Sequence, residues 1–415
     1  MKHRILPALL VLLAVLFACA ACAGAETVKI SGVEQADLRS APNGKTVAVI
    51  FQDTPAEQLE TKGKWSRIRI GEDPVTVTGW MLTGCLVPVE EGETPYCGQD
   101  CIPAQGHDSV ALLDAPKRGA RILNVWDGSH EETYLTVAGV FSGNEWLLTA
   151  LSGEDGVEWY CAAADSLASF EGAYVISRAA DTVVSLRAEP NTKAKVLASC
   201  FGGVYANYLF DGERKEGWTR ICVGGTAGFM MNDFLMEAEF DVPPYRPPLA
   251  VLSKEAVPVY AQSSGNDPLI GMDALLSRRD RFTVLARGKT RYLVSIFTDE
   301  AGRYLYGWID HTALADENLI AGSTSAVLTR DTPVYNWSLE EIGSLQAGAQ
   351  VTLRWFYADF SADSGSPILD YCDPASSRWV WIDADEYEFY LDEWGNGFVP
   401  VDAVQLDPRL VLPSP

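Results

Sequence analysis

Few residues in this chain are of types that do chemistry, and their spacing decides what each can be. Two cysteines stand close together in "CGQDC", Cys97 and Cys101. A metal-binding or redox pair calls for a second cysteine pair or for histidines at ligand spacing. Neither is present, so a local disulfide in a connecting segment is the expectation. With Cys85, Cys161, Cys200, Cys222 and Cys372 the chain beyond its first 25 residues holds seven cysteines, an odd number that leaves at least one outside any internal pairing. Its histidines are His107, His130 and His311, each in a different segment. A cysteine peptidase needs a thiolate beside a histidine at a helix start, and a catalytic zinc needs three protein ligands around an open position. Three scattered histidines supply neither.

Carboxylates are dense from Asp370 to Glu393, in "DYCDP" and "DADEYEFYLDE". Calcium takes six to eight oxygens in a loop of fixed geometry. A loop begun at Asp383 puts Glu388 where glycine is required and Trp394 where the bidentate glutamate belongs, so the run reads as a solvated acidic face. There is no phosphate-cradling glycine loop and no nucleophile elbow. The expectation is therefore a protein that is not an enzyme, with no catalytic residue, no metal and no cofactor. What remain are two cation–aromatic pairs, Arg39 with Trp65 and Arg187 with Trp218. An arginine beside an aromatic ring can stack on it or select a carboxylate, and these four are the candidate ligand-binding residues.

The elements that must position them recur. "ADLRSAPNGKTVAVI", from Ala36, returns as "VVSLRAEPNTKAKVLASC", from Val183. An opening apolar residue falls at Leu38, Leu113, Leu186, Val259 and Val334, in steps of 75, 73, 73 and 75. An aromatic landmark follows at Trp65, Trp146, Trp218, Tyr292 and Trp379. A closing motif falls at Gly79, Glu158, Gly228, Gly307 and Gly397, reading "GWM", "EWY", "GFM", "GWI" and "GFV". Such ordered landmarks are a repeat signature. Within a repeat the pattern has period two: Val184 and Leu186 share one face, and Ser66, Ile68 and Ile70 lie opposite Trp65, Arg67 and Arg69. Pro190 and Asn191 end a strand in a turn, and helical spacing is absent. The expectation is all-β: small barrels in tandem, each with its own core, over 26–88, 106–167, 173–238, 250–316 and 322–407, after a signal segment 1–25. Spacers are expected at 89–105 and at the proline pairs of 243–248. The closing aromatics, Trp80 among them, are expected in the cores.

Lys2 and Arg4 followed by an apolar run and the small residues before Glu26 read as a secretory signal. Soluble export is the first reading and a lipid anchor at Cys19 the second, with no membrane-spanning segment. The mature protein is expected outside the cytoplasm, secreted or at the cell surface. Without Lys2 and Arg4, 30 basic residues stand against 56 acidic ones. A surface so acidic disfavours nucleic acid, whose binding rests on neutralised phosphates.

Leu-Arg-x-x-Pro-Asn, then "W-x-x-I", then Gly-aromatic-hydrophobic resembles the bacterial Src-homology-3-like (SH3b) domain family. The resemblance is carried by "LRSAPNG", "WSRI" and "GWM" in the first repeat and by "LRAEPNT", "WTRI" and "GFM" in the third; the fourth and fifth lack the arginine. It implies strongly bent β-barrels with Leu38 and Leu186 in the core, Arg39 and Arg187 on the solvent side near the first loop, and Trp65 and Trp218 at the rim. It also implies a binding protein of the cell envelope, with peptidoglycan or another envelope or secreted protein as partner. A spacer scaffold without wall binding is the alternative.

Overall fold

The computed structural model describes residues 26–405 apart from 91, 94–95, 129–132, 154–155, 180–181, 213–214, 239–242, 253, 255, 270–274, 278–281, 299–302, 324, 337–339, 361–366, 370–378 and 384–395. The expected signal segment with Cys19, as well as Cys372, His130 and most of the acidic run from Asp370, lies outside the described residues. The protein is all-β: among the described residues there is no α-helix, only short 3-10 turns between strands. No helix among them is long and apolar enough to cross a membrane.

Each repeat is built from an opening strand, a second strand, a third strand, an aromatic strand and a closing strand. In the first repeat these are Gln35–Arg39, Thr46–Phe51, Pro55–Lys62, Trp65–Glu72 and Val75–Leu82. They lie in the order second, opening, closing, aromatic, third, and the first, second, third and fifth repeats all keep that order. The turn after the opening strand uses asparagine in two ways. Asn43 takes a left-handed backbone (φ 59°), whereas Asn191 accepts a hydrogen bond on Oδ1 from the Lys193 N–H at 3.0 Å, both habits of asparagine in turns. Alternation then sorts the side chains. Ser66, Ile68 and Ile70 are buried while Arg67 and Arg69 are exposed, as expected from period two.

The same alternation corrects the expectation for the closing aromatics. Gly79 and Met81 face inward over Leu38, so Trp80 falls on the outer face and is half-buried. Phe229 follows suit in the third repeat, with Gly228 and Met230 inward. Gly79 is glycine because the closing strand crosses the opening strand there. A Cβ would stand 2.7 Å from Leu38 Cγ and 2.8 Å from the Arg39 carbonyl oxygen, and Gly228 meets Leu186 and Arg187 in the same way. In the fourth and fifth repeats Trp308 and Phe398 are buried as expected.

Strand registers also realign three landmarks: the opening and closing positions of the second repeat and the aromatic position of the fourth. In the first repeat Arg39 pairs with Trp80, and Trp65 with Leu82. The matching pairs in the second repeat are Leu113 with Cys161 and Trp146 with Ala163. Leu112, fully buried, is therefore the counterpart of Leu38, and Tyr160 stands in the place of Gly79. In the fourth repeat Arg291 pairs with Asp310 and Tyr292 with Ile309. Arg291 thus holds the place of Trp65, and Tyr292 points into the core.

The repeats do not have five separate cores. The described residues form two compact bodies, one from those up to Phe170 together with those of 209–214, and one from those of 171–208 together with those from Lys215 onward. In the first body the second strand of repeat one pairs with Tyr134–Phe141, the third strand of repeat two, making one continuous 13-stranded sheet. Ile50, Ile70, Leu148, Trp159 and Cys161 share a single core. A second cluster in the same body joins Phe51 and Phe210 to the core of repeat two. In the second body Val196–Phe201 of repeat three pairs with Phe282–Arg287 of repeat four. Leu186, Ile221, Leu293 and Trp308 lie in one core. The fifth repeat has an eight-stranded sheet and a core of its own.

Fusion follows from size: a module of ~60 residues buries only about 60% of the surface its unfolded chain exposes, and an apolar outer face on its neighbour supplies the remainder. Both expected spacers are drawn into sheets as well. Gln99–Asp100 pairs with the third strand of repeat two, and Ile102–Pro103 with Leu167–Ala168. Tyr245–Leu252 pairs with Leu314–Ser323, and the register shifts between Arg246 and Leu249, across Pro247 and Pro248, as prolines in sheets require.

Cys97 and Cys101 are not joined. Both are buried thiols, and the Cys101 Sγ donates to the Leu135 carbonyl oxygen at 3.1 Å. Burial pushes the Cys97 thiol up to about 11 and raises that of Cys101 further in the same direction. Cys97 lies in the core that repeats one and two share and Cys101 in the core of repeat two, so the two thiols fill separate clusters rather than close a loop.

Candidate functional site

The outer face of the first repeat carries a cleft of about 480 Å³ that contains two of the four candidate residues, Arg39 and Trp65. Period two builds it. Gln35, Asp37 and Arg39 alternate outward along the opening strand while Ala36 and Leu38 point in. Across the sheet, Trp65 is the register partner of Leu82, and both residues line the cleft together with Lys64 and Asn43.

Arg39 has a structural task before any other. Its Nη1 donates to the Gly44 carbonyl oxygen at 3.0 Å, and its Nη2 pairs with the Asp37 carboxylate. Arg187 repeats the first contact, donating from Nη1 to the Ala194 carbonyl oxygen at 2.9 Å. The recurrent arginine therefore clamps the first turn. The fourth repeat, which has Tyr260 in that position, supplies the clamp from elsewhere. Arg291 donates from Nη1 to the Gln262 carbonyl oxygen at 2.9 Å and from Nε to Asp310 Oδ1 at 3.0 Å, with its guanidinium 3.6 Å from the Tyr260 ring centroid.

Trp65, expected at the rim, is only 8% exposed and acts as a wall of the cleft. Lys64 is exposed, and its ammonium lies 6.0 Å from the Trp65 ring centroid, the outer limit of a cation–π contact. It makes no ion pair among the described residues. The neighbouring cations do pair: Arg67 with Glu60 at 3.6 Å, and Arg69 with Glu57. Gln35 contributes the second polar feature. Its Oε1 is buried, and no donor reaches it. A buried acceptor without a donor costs about 1–3 kcal/mol, a cost that a ligand N–H or O–H at that place would remove. Cys85 also lines the cleft, but burial raises its thiol pKa, so it stays protonated near neutral pH and is a poor nucleophile.

Arg187 and Trp218 occupy the corresponding register positions in repeat three, with Trp218 paired to Met231 and Arg187 to Phe229. Their surroundings differ. Val183, Ser185 and Gly217 stand where repeat one has Gln35, Asp37 and Lys64. The two copies of the motif thus share the turn clamp but not the polar lining. Gln35 and Lys64 were not among the residues singled out from sequence, although period-two alternation from Arg39 and adjacency to Trp65 mark them. Among the described residues no group of three or more histidine, cysteine or acidic side chains is placed to hold a metal.

No family model matches the chain, and no curated protein matches it. Among solved structures it is similar to NlpC2 from Trichomonas vaginalis, at 9% identity over 72% of this chain and 96% of that one, with a TM-score of 0.15. NlpC1 from the same organism is similar at 11% identity over 72% of this chain and 91% of that one, with a TM-score of 0.16. With TM-scores this low, the reading of the fold rests on the strand orders and registers above.

Proposed function

We propose that the protein is an exported, non-catalytic binding protein of the cell envelope, built from SH3b-type repeats, and that the cleft of the first repeat holds its ligand. One observation carries the reading: a tryptophan wall, an exposed lysine and a buried glutamine acceptor lacking a donor converge on one cleft. The ring offers an apolar platform, Lys64 offers a charge for a carboxylate or a polar oxygen, and Gln35 asks for a donor. A cell-wall peptide or glycan carries all three complements.

Cosedimentation with purified peptidoglycan sacculi tests this. The wild-type chain should pellet with the sacculi, and Lys64→Glu and Gln35→Ala should each weaken the association about tenfold or more. Pelleting indifferent to both changes would remove the cleft from the account. The second reading, a protein-interaction or spacer scaffold, is favoured by the continuous sheets, which make each fused pair of repeats a stiff unit. It becomes the better reading if the wild-type chain does not pellet.

A further inference from the structure

Twice in this molecule the second strand of an odd-numbered repeat is covered by the third strand of the repeat that follows, in the same register. Ile50 pairs with Gly139 and Cys200 with Ala286. These are equivalent places, because Ala48 faces Leu38 as Ala198 faces Leu186, and Gly139 faces Leu148 as Ala286 faces Leu293. The contact obeys a size rule. A Cβ on Gly139 would lie 2.9 Å from Ile50 Cδ1 and 2.5 Å from the Val49 carbonyl oxygen. The bulky isoleucine meets glycine, while the smaller cysteine admits alanine. The larger the side chain on the second strand, the smaller the one that crosses it.

Among the described residues the fifth repeat presents the same edge without a cover. Its second strand, Glu341–Leu345, ends the eight-stranded sheet and, among the described residues, pairs only with Thr332–Tyr335. Val334 faces Gly343 as Leu38 faces Ala48, so Leu345 is the counterpart of Ile50 and Cys200. Leu345 is large, and by the size rule the residue opposite it must be glycine. The strand itself carries that glycine two positions away, with the exposed Ser344 between them.

We propose that Glu341–Leu345 pairs antiparallel with the same strand of a second copy of the chain, about a two-fold axis through Ser344. This register sets each Leu345 against the other copy's Gly343, reproducing Ile50 on Gly139, and sets Ser344 against Ser344. The chain turns after Leu345, where the Ala347 N–H donates to Asp331 Oδ1 at 2.9 Å, so the pair is carried by Gly343, Ser344 and Leu345 of each copy, and Glu341 has no charged residue opposite it. The strand is self-complementary, as an isologous two-fold contact demands, and it closes an edge that would otherwise template less specific pairing.

Sedimentation velocity on the chain, loaded up to about 100 µM, should show a reversible monomer–dimer equilibrium. Ser344→Lys and Ser344→Glu each place like charges directly opposite one another, which destabilises a cross-strand pair, and each should weaken dimerisation at least roughly tenfold. An equimolar mixture of the two variants sets lysine against glutamate and should restore the dimer. Because Ser344 is exposed, neither change disturbs the core, and an unshifted melting temperature confirms it. A wild-type chain that stays monomeric overturns the proposal. So does a dimer unaffected by either substitution, or a mixture that fails to recover.

Discussion

Leu148→Ala should destabilise repeats one and two together, although Leu148 belongs to repeat two in sequence. The side chain is fully buried and lies in the cluster that holds Ile50, Ile68 and Met81 of repeat one. Removing three carbons forfeits about 2.4 kcal/mol at ~0.8 kcal/mol per methylene. A residual hole of roughly 50 Å³ adds about 1 kcal/mol, for a total of about 3–4 kcal/mol. Across a fused pair of some 150 residues this lowers the melting temperature by roughly 10 °C. The informative readout is its distribution. Hydrogen exchange followed by mass spectrometry should show protection falling together in peptides covering 46–51 and 65–72 of repeat one and 134–141 of repeat two. Independent barrels would behave otherwise, since a module of ~60 residues has only about 3–9 kcal/mol to lose and would melt alone. Lost protection confined to 106–167, with repeat one unchanged, would refute the shared core.

The remaining predictions address particular positions. Met81→Ala, at a fully buried site, should cost about 2–5 kcal/mol in denaturant unfolding, whereas Trp80→Ala, on the half-buried outer face, should cost less than about 2 kcal/mol; the reverse ranking would put Trp80 back in the core. Gly79→Ala drives a methyl against the Arg39 carbonyl oxygen, backbone that cannot swing aside, and should cost about 1–3 kcal/mol, measured by the same unfolding curves. The buried thiols make a pH prediction. Burial pushes Cys97 up to about 11 and Cys161 and Cys200 up to about 12, so the folded state holds these protons after the unfolded chain, with thiols near 8.5, has begun to lose them. Stability from this source is complete below about pH 8.5 and declines as pH rises beyond it. Thermal melts between pH 7 and 11 should show that decline, and reductant should leave the pH 7 melt unchanged because Cys97 and Cys101 are thiols.

Much of this architecture was legible in local pattern and much of the assembly was not. Alternation in "WSRIRI" and the turn in "APNG" specify the strand faces and the first loop without reference to anything distant. The clamp by Arg39 is local too, reaching a carbonyl five residues on. Partnership between repeats is a different kind of information. That Gly139 leaves room for Ile50 is a property of two residues 89 positions apart, and nothing in either stretch announces the other. Landmark matching failed for a related reason. Tyr292 resembles Trp65 in type, but a one-residue slip in register turns every side chain to the other face, and it is Arg291 that lies outward. The cleft shows both limits: Arg39 and Trp65 were marked by motif, while Gln35 drew no attention because an orphaned acceptor exists only once its surroundings do.

A single row of cross-strand partners, read along the five repeats, separates covered faces from open ones. It joins the opening, closing and aromatic strands. In repeat one the row is Arg39, Trp80 and Arg67, and in repeat three it is Arg187, Phe229 and Arg220. In repeat two the same places hold Leu113, Cys161 and Leu148, and in repeat four Tyr260, Trp308 and Leu293. The apolar rows belong to the repeats that lean on a predecessor: Trp159 comes within 3.5 Å of the Cβ position at Gly71, and Leu293 within 3.1 Å of that at Gly224. Guanidinium groups in those places would be buried against a neighbour at a cost of several kcal/mol each, so the arginines are confined to the repeats whose outer face stays wet. The fifth repeat has Tyr335, Phe398 and Trp381 along the row, with Phe398 fully buried. Arg39 and Arg187 thus lie on outer faces that, unlike those of the second and fourth repeats, are not packed on a preceding repeat among the described residues.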